Sequence, residues 1–347
     1  MSEGFTITVN ENVSALEVKE LISKDSDTES GVVIFDASEN QLCDLCYYGR
    51  SFQRVCQLIC KFDFKNLEDI SKKLKISGFE AESFSVRCIR QGKHDFESKD
   101  IEKMVGDKVD CKVSLKNPQK TLLAYVKDNK FYLGLDYSGF DMGKRSYKIF
   151  PHPASIRGDV AYCLIRLAGY SGKEKIVDPF CGSGTLAIEA SLFSMKKSVH
   201  FHDKQKFAFL KFMKYEFEDN INDSEIIQAM DFSQNATIAA RKNAKIAGAN
   251  CMFTQASVDW LDTKFEEASV DMIATNPPGI SKRKGPAKAR KSYEEFFHGA
   301  KYVLKADGVV AIISKNMNEL LPFSEKSGFK IKQRLEISGQ PVLILKK

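Results

Sequence analysis

Two hydrophobic periods divide the chain. In the first 60 residues, FTITV and GVVIFDA alternate like strands, whereas ALEVKELISK and RSFQRVCQLICKFDF space their apolar residues like amphipathic helices. This predicts a small α+β unit. A second α+β unit follows from about Phe62, with strands at FSVRCIR, CKVSLK, TLLAYVK and KFYLGLDYS. The helix SKDIEKMVGDKV lies between the first two of these strands, with Ser98 as its N-cap. Residues 139–155 interrupt the pattern with Gly139, Gly143, Pro151 and Pro153 and read as a linker. Apolar runs then alternate with longer helical stretches: KIVDP, EIIQAMD, CMFTQAS, VDMIATN, GVVAIISK, FKIKQRLEI and PVLILKK. Strand–helix alternation predicts an α/β fold, a mostly parallel sheet with helices on both faces. The last two runs lack a helix-length connection and should form an antiparallel terminal hairpin. The expected domains are 1–61, 62–138 and 156–347, with 139–155 as linker.

Composition adds little at first. The 347 residues are 43% hydrophobic and 28% charged, ordinary for a globular protein. No stretch approaches the length of an apolar membrane span, and the N-terminal residues lack a basic then apolar secretory pattern. The expectation is a cytoplasmic protein with no membrane partner. The net charge of +6 matters through its distribution. Residues 281–291, SKRKGPAKARK, concentrate Lys282, Arg283, Lys284, Lys288, Arg290 and Lys291, which suits a polyanionic partner. Among nine cysteines, Cys43, Cys46, Cys56 and Cys60 cluster and raise the question of zinc. The wider spacing of the second pair, within an amphipathic helical pattern, makes them small apolar residues instead. No metal is expected.

In a doubly wound sheet the ligand binds at the carboxyl ends of the strands. The first strand of the last region ends in Asp178-Pro179-Phe180-Cys181-Gly182-Ser183-Gly184-Thr185. Gly182 and Gly184 permit a tight turn and close approach of a ligand to the backbone. A Walker loop is excluded by the missing Gly-Lys-Ser/Thr, and a dinucleotide fingerprint fits poorly without a third glycine. Asp178 would repel a pyrophosphate but welcome an ammonium. The second strand ends at Met230-Asp231-Phe232. Asp231 suits the two hydroxyls of a ribose and Phe232 the face of an adenine; capping of the following helix together with Ser233 is the other reading of Asp231, and its place at the expected strand end favours the ribose. The fourth ends in Thr275-Asn276-Pro277-Pro278-Gly279. The two prolines stiffen the loop, so that Asn276 and the Pro277 carbonyl can accept the hydrogens of an amino group.

With DPFCGSGT and NPP as its two motifs, the region 153–347 resembles the class I S-adenosylmethionine methyltransferases that methylate amino groups. The resemblance implies a Rossmann-like domain with a seven-stranded sheet. It implies cofactor contacts from Ser155 in the HPASIR segment, Asp178, Phe180, Gly182, Ser183, Gly184, Asp231, Phe232, Ser257 and Asn276. Catalysis would rest on Asn276, Pro277 and Pro278. SFSVRCIRQGKHDFESKDIEKMVG, together with VSLKNPQKTLLAYVKDNKFYLGLDYSG, resembles a THUMP domain, preceded by a ferredoxin-like unit. This implies that tRNA is the partner, held by its 3′ end and acceptor stem. The implied RNA-binding residues are Arg87, Arg90, Lys93 and Lys116, with Lys282, Arg283, Lys284, Lys288 and Arg290 from the basic run. The expected function is N2-methylation of a tRNA guanosine. Ribosomal RNA guanine-N2 methylation and a catalytically impaired THUMP RNA-binding protein are the alternatives. KFAFLKFMKYEFED, residues 206–219, resembles an insert of the ribosomal enzymes. Two positions depart from the family: Gly279 replaces an aromatic residue that would stack on the target base, and Ser257 replaces an acid expected for the adenine amino group.

Overall fold

The structure, a computed structural model, describes residues 2–153, 155–279 and 286–347. The chain divides into two compact units, one formed by 1–142 with 200–218, the other by 143–199 with 219–347.

The first unit is built on β1 (Ser2–Thr8), α1 (Glu11–Ile22), β2 (Ser26–Glu29), β3 (Val32–Ala37), α2 (Glu39–Tyr48), β4 (Phe52–Asp63), α3 (Leu67–Lys73), β5 (Phe84–Gln91), α4 (Ser98–Gly106), β6 (Lys120–Lys127) and β7 (Lys130–Asp136). These strands make a single seven-stranded sheet in the order β2-β3-β1-β4-β7-β6-β5. Only β5 and β6 run parallel. The long strand β4 joins the two expected α+β units by pairing with β1 on one side and β7 on the other.

β4 corrects the sequence reading, which made this segment a helix. A register shift between Leu58 and Cys60 changes the phase of the alternation. Apolar residues on either side of such a bulge mimic helical spacing. Cys43 and Cys46 lie on α2, and Cys56 and Cys60 on β4; the first three are buried thiols. Burial pushes Cys60 up to about 11 and the other three further, so all four stay protonated and apolar in character. CKVSLK forms no strand beyond a bridge between Phe84 and Val113. Val113 and Leu115 stand exposed there instead of alternating into a core. The next helix begins at Ser98 itself; its cap position is Glu97, whose N–H is held by the Asp100 carboxylate at 2.8 Å.

Residues 200–218 pack into this first unit. Phe207 and Phe209 are buried with Tyr47, Phe52 and Tyr137, and the Phe209 N–H donates to the Tyr137 carbonyl at 3.1 Å.

The second unit contains α5 (Gly158–Leu167), β8 (Ile176–Asp178), α6 (Thr185–Ser194), β9 (Ile227–Asp231), α7 (Gln234–Ala247), β10 (Cys251–Gln255), α8 (Leu261–Lys264), β11 (Val270–Thr275), α9 (Pro286–Val303), β12 (Leu304–Ile313), α10 (Met317–Lys326), β13 (Lys330–Ile337) and β14 (Gln340–Lys346). Its sheet runs β10-β9-β8-β11-β12-β14-β13. The first five strands in that order are parallel, and β14 is antiparallel to both neighbours. This is the expected Rossmann-like sheet with a terminal hairpin. The strand order reverses beside β8, so the loops after β8, β9 and β11 gather at one edge. Val177, Ile273, Val310 and Ile312 form the sheet side of a core that Phe296 and Phe297 of α9 cover.

Candidate active site

The carboxyl edge of the second sheet opens into a cleft of about 330 Å³. Its walls include His152, Ser155, Asp178, Phe180, Gly182, Asp231, Phe232, Asn276, Pro278 and Gly279. Seven of the ten expected cofactor residues therefore line one cavity. Ser183 and Gly184 belong to the same turn but stand behind the wall. The Ser183 hydroxyl donates to Ser155 Oγ at 3.0 Å, and Ser155 Oγ also meets Thr185 Oγ1 at 3.2 Å. Pro277 is buried beside Asn276. Ser257 stands exposed after β10, outside the cleft lining.

The glycines are explained by geometry. Gly182 and Gly184 have φ of +52° and +85°, which L side chains rarely adopt. A Cβ on Gly184 would come within 2.9 Å of the Phe253 ring, and one on Gly182 within 3.2 Å of the His152 ring. The turn leads directly into α6, whose N-terminus faces the cleft with its positive dipole end. Asn243 of α7 pins this turn from below: its amide donates to the Ser183 carbonyl at 3.1 Å and to the Phe150 carbonyl at 2.9 Å, and its oxygen accepts the Phe150 N–H at 3.0 Å.

The two acids differ in setting. Asp178 is fully buried; one oxygen accepts from the Thr275 hydroxyl at 2.7 Å and from the Phe180 N–H at 3.1 Å. Burial dominates these two bonds, with the nearby Asp231 charge acting in the same direction as burial, and its pKa is pushed up to about 7. Asp231 accepts the Gly182 N–H at 3.0 Å and the Ser233 N–H at 2.9 Å. It thus ties the β9 end to the glycine turn. Ser233 alone caps α7, accepting from the Ala236 N–H. Phe232 is 56% exposed, a large apolar face beside Asp231.

Across the cleft, the Tyr293 hydroxyl donates to the Pro278 carbonyl at 2.6 Å and fixes the loop after Asn276. Tyr293 and Asn243 were missed from the sequence because both lie outside the motifs; Thr275 stands in the quoted strand end, but its bond to Asp178 was not foreseen. His152 and Thr185 fall inside the motif segments but were not singled out.

A model of the UPF0020 family, the RMKL-like methyltransferase domain, matches residues 145–342. The chain belongs to the RMKL-like methyltransferase family. A THUMP domain model matches residues 61–136. The tRNA (guanine(6)-N2)-methyltransferase of Archaeoglobus fulgidus is 28% identical over 339 residues, spanning 92% of this chain and 84% of the relative. TrmN from Thermus thermophilus superposes with a TM-score of 0.70 at 22% identity, covering 99% of both chains. SMU.472, a putative methyltransferase solved with SAH, gives a TM-score of 0.79 at 18% identity over 99% of this chain and 97% of its own.

As an RMKL-like methyltransferase the protein takes S-adenosylmethionine as its methyl donor. The cleft fits that molecule. A Cβ-free turn leaves room against the backbone, Asp178 offers a buried carboxyl group, and the exposed Phe232 ring borders Asp231. Among the described residues no group of three metal-ligating side chains is found, and no helix is long and apolar enough to cross a membrane.

The expected RNA-binding residues separate. Arg87 and Lys116 line a cleft of about 400 Å³ in the first unit, together with Arg54, Lys206 and Lys211. Arg90 lies an odd number of residues further along β5 and projects to the other face, its guanidinium 6.0 Å from the Phe96 ring centre. Lys93 lines a different hollow with His94 and Phe96. Lys206 and Lys211 come from the insert 200–218, and a sequence reading attentive to the insert's lysines would have found them. Lys211 donates to Asn117 Oδ1 and the Pro118 carbonyl, both at 2.9 Å, and so holds the LKNP loop at the cleft. Lys282, Arg283 and Lys284 lie outside the described residues, as does the side chain of Lys288. Arg290 is exposed and pairs with Glu319 at 3.1 Å.

Proposed function

We propose that this protein methylates N2 of a guanosine in the acceptor stem of tRNA, at nucleotide 6. The observation that carries this reading is Asn276, on the same cleft as Asp178 and Asp231, at the end of the strand next to β8. The guanine-N2 relative and the THUMP match supply the substrate class. We further propose 62–138 as the RNA-binding domain and 156–347 as the catalytic one.

S-adenosylmethionine supplies an electrophilic methyl group. Asp178 would hold its ammonium, Asp231 its ribose hydroxyls and Phe232 its adenine. The Asn276 carbonyl and the backbone carbonyl of Pro277 would accept the two N2 hydrogens. The Pro278 carbonyl is already engaged by Tyr293, so Pro277 is the loop's acceptor for this task. Held this way, the nitrogen lone pair is drawn out of conjugation and aimed at the methyl carbon. Nitrogen would gain the methyl as the sulfur–methyl bond breaks and S-adenosylhomocysteine leaves, and would then release one hydrogen as a proton to solvent. Positioning supplies most of the acceleration, and no strong base is needed. A paired base cannot enter the cleft, so the nucleotide must flip out.

The test is mass spectrometry of nucleosides from tRNA transcripts incubated with the protein and S-adenosylmethionine. N2-methylguanosine should form, and a transcript with adenosine at nucleotide 6 should yield none. Methylation of that altered transcript would refute the position; methylated adenosine would refute the reaction.

A further inference from the structure

Part of the cleft wall lacks the support of regular structure. His152, Pro153, Ser155 and Ile156 line the cleft, yet they precede α5 and belong to no strand or helix. Other bonds must therefore hold them over the glycine turn. Upstream, the chain is pinned at Phe150, whose N–H and carbonyl both bond the Asn243 carboxamide. Beyond it, the Ser155 N–H donates to the His152 carbonyl at 2.9 Å. The Ser155 hydroxyl accepts from Ser183, and the His152 ring lies 3.2 Å from where a Cβ on Gly182 would stand.

One side chain ties the ends of this stretch together. Lys148 Nζ donates to the Ile156 carbonyl, eight residues further on. The bond closes the chain into a loop whose far side is the cleft wall. Lys148 itself is half-buried and outside the cleft lining. Glu189 of α6 and Asp159 of α5 face its ammonium with negative charge, Arg145 and Arg157 with positive charge. Those two acids are bonded to the two arginines, Glu189 to Arg145 and Asp159 to Arg157. The ammonium is thus bonded to a backbone carbonyl and set among mutually paired charges. Burial is the largest influence on it and brings its pKa down to about 8.

We infer that Lys148 is a positioning residue for S-adenosylmethionine: by clasping the Ile156 carbonyl it holds His152 and Ser155 against the glycine turn that receives the cofactor. The inference needs only the cofactor cleft and is independent of which RNA is methylated. A charged donor bonds a carbonyl more strongly than a neutral amine does. The clasp is therefore at full strength while Lys148 keeps its proton and weakens as pH rises through about 8.

Lys148→Met keeps the apolar stem and removes the donor. Its affinity for S-adenosylmethionine, measured by calorimetry at pH 7, should fall on the order of 10-fold, the scale of one hydrogen bond from a charged group. The ratio of variant to wild-type Kd should narrow at pH 9, where wild type has itself lost the proton. Taking the ratio cancels the titration of Asp178 and of the cofactor's own amine. Hydrogen exchange of the cofactor-free protein supplies a second readout. Relative to its intrinsic rate, the Ser155 amide of wild type should exchange several-fold faster at pH 9 than at pH 7. In Lys148→Met it should exchange fast at both. An unchanged Kd at pH 7 overturns the inference, and so does a Kd ratio that stays constant with pH, which would make Lys148 a purely structural residue. Should Lys148→Met fail to fold, the wild-type exchange decides alone: equal protection of Ser155 at the two pH values refutes the clasp.

Discussion

Burial lets Asp178 keep its proton up to about pH 7, and this links cofactor binding to pH. An ammonium is attracted only by the ionised form. S-adenosylmethionine affinity should therefore rise as pH climbs from 6 to 8, approaching tenfold per unit below pH 7. Calorimetry across that range would check it, and Asp178→Asn should bind weakly with a flat profile. The same shift has an opposite effect on the empty protein. The folded state binds this proton more tightly than the unfolded chain does. The resulting stability is complete below the ordinary value of 3.8 and is lost as pH rises through about 7. Asn276 should behave differently. Asn276→Ala is expected to cost about 100-fold or more in turnover, the scale of one aligned polar group, with cofactor affinity within a few-fold. Single-turnover methylation beside a binding isotherm separates the two effects, and near-normal turnover would remove Asn276 from the mechanism.

At the scale of elements, the glycine turn is only as good as the helices beneath it. Glu189 of α6 is wholly buried and accepts from Arg145 Nε at 2.8 Å and from the Tyr147 hydroxyl at 2.8 Å. Glu189→Ala would take from the buried Arg145 guanidinium its hydrogen-bonded counter-charge, leaving the charge of Asp159, a loss of about 3–5 kcal/mol. Denaturant unfolding should show a lower midpoint. If the midpoint stays within error, the pair contributes little to the fold. The basic cleft of the first unit permits a second test. Arg87→Glu with Lys116→Glu should weaken tRNA binding and reduce the log–log salt slope by roughly 0.7–0.9 for each phosphate the cleft no longer neutralises. Binding measured at two salt concentrations decides, and an unchanged slope would show that the cleft holds no phosphate.

Elements also mark what the sequence could and could not disclose. Strands β8, β9, β11 and β12 were legible because buried parallel strands are largely apolar runs, and three of their ends carry Asp178, Asp231 and Asn276. β4 was not, because its bulge at Leu58 to Cys60 breaks the alternation that identifies a strand. Helices near the site were legible from Ser233 and the glycine turn. The supporting bonds of Asn243, Tyr293 and Thr275 were not, since each depends on a partner distant in the chain. Arg87 and Arg90 looked alike as basic residues, and only the two-residue period of β5 separates their faces.

At the scale of the whole molecule, the two units are interleaved in sequence. Residues 200–218 leave the second unit's chain between α6 and β9 and complete the aromatic core of the first with Phe207 and Phe209. A fragment ending at Met142 lacks those rings. It should melt with poor cooperativity and bind hydrophobic dyes, each missing phenylalanine costing about 3–5 kcal/mol. Calorimetry of the fragment and of the full chain would check this, and an equally sharp transition in the fragment would show the insert to be dispensable. The arrangement also has a consequence for synthesis. A ribosome delivers the chain from its N-terminus at about 5–20 residues per second. The N-terminal unit must then wait several seconds, with its aromatic face open, while α5, β8 and α6 of the next unit emerge. Chaperones would meet this protein in that interval, and slowing translation between codons 142 and 218 should lengthen it.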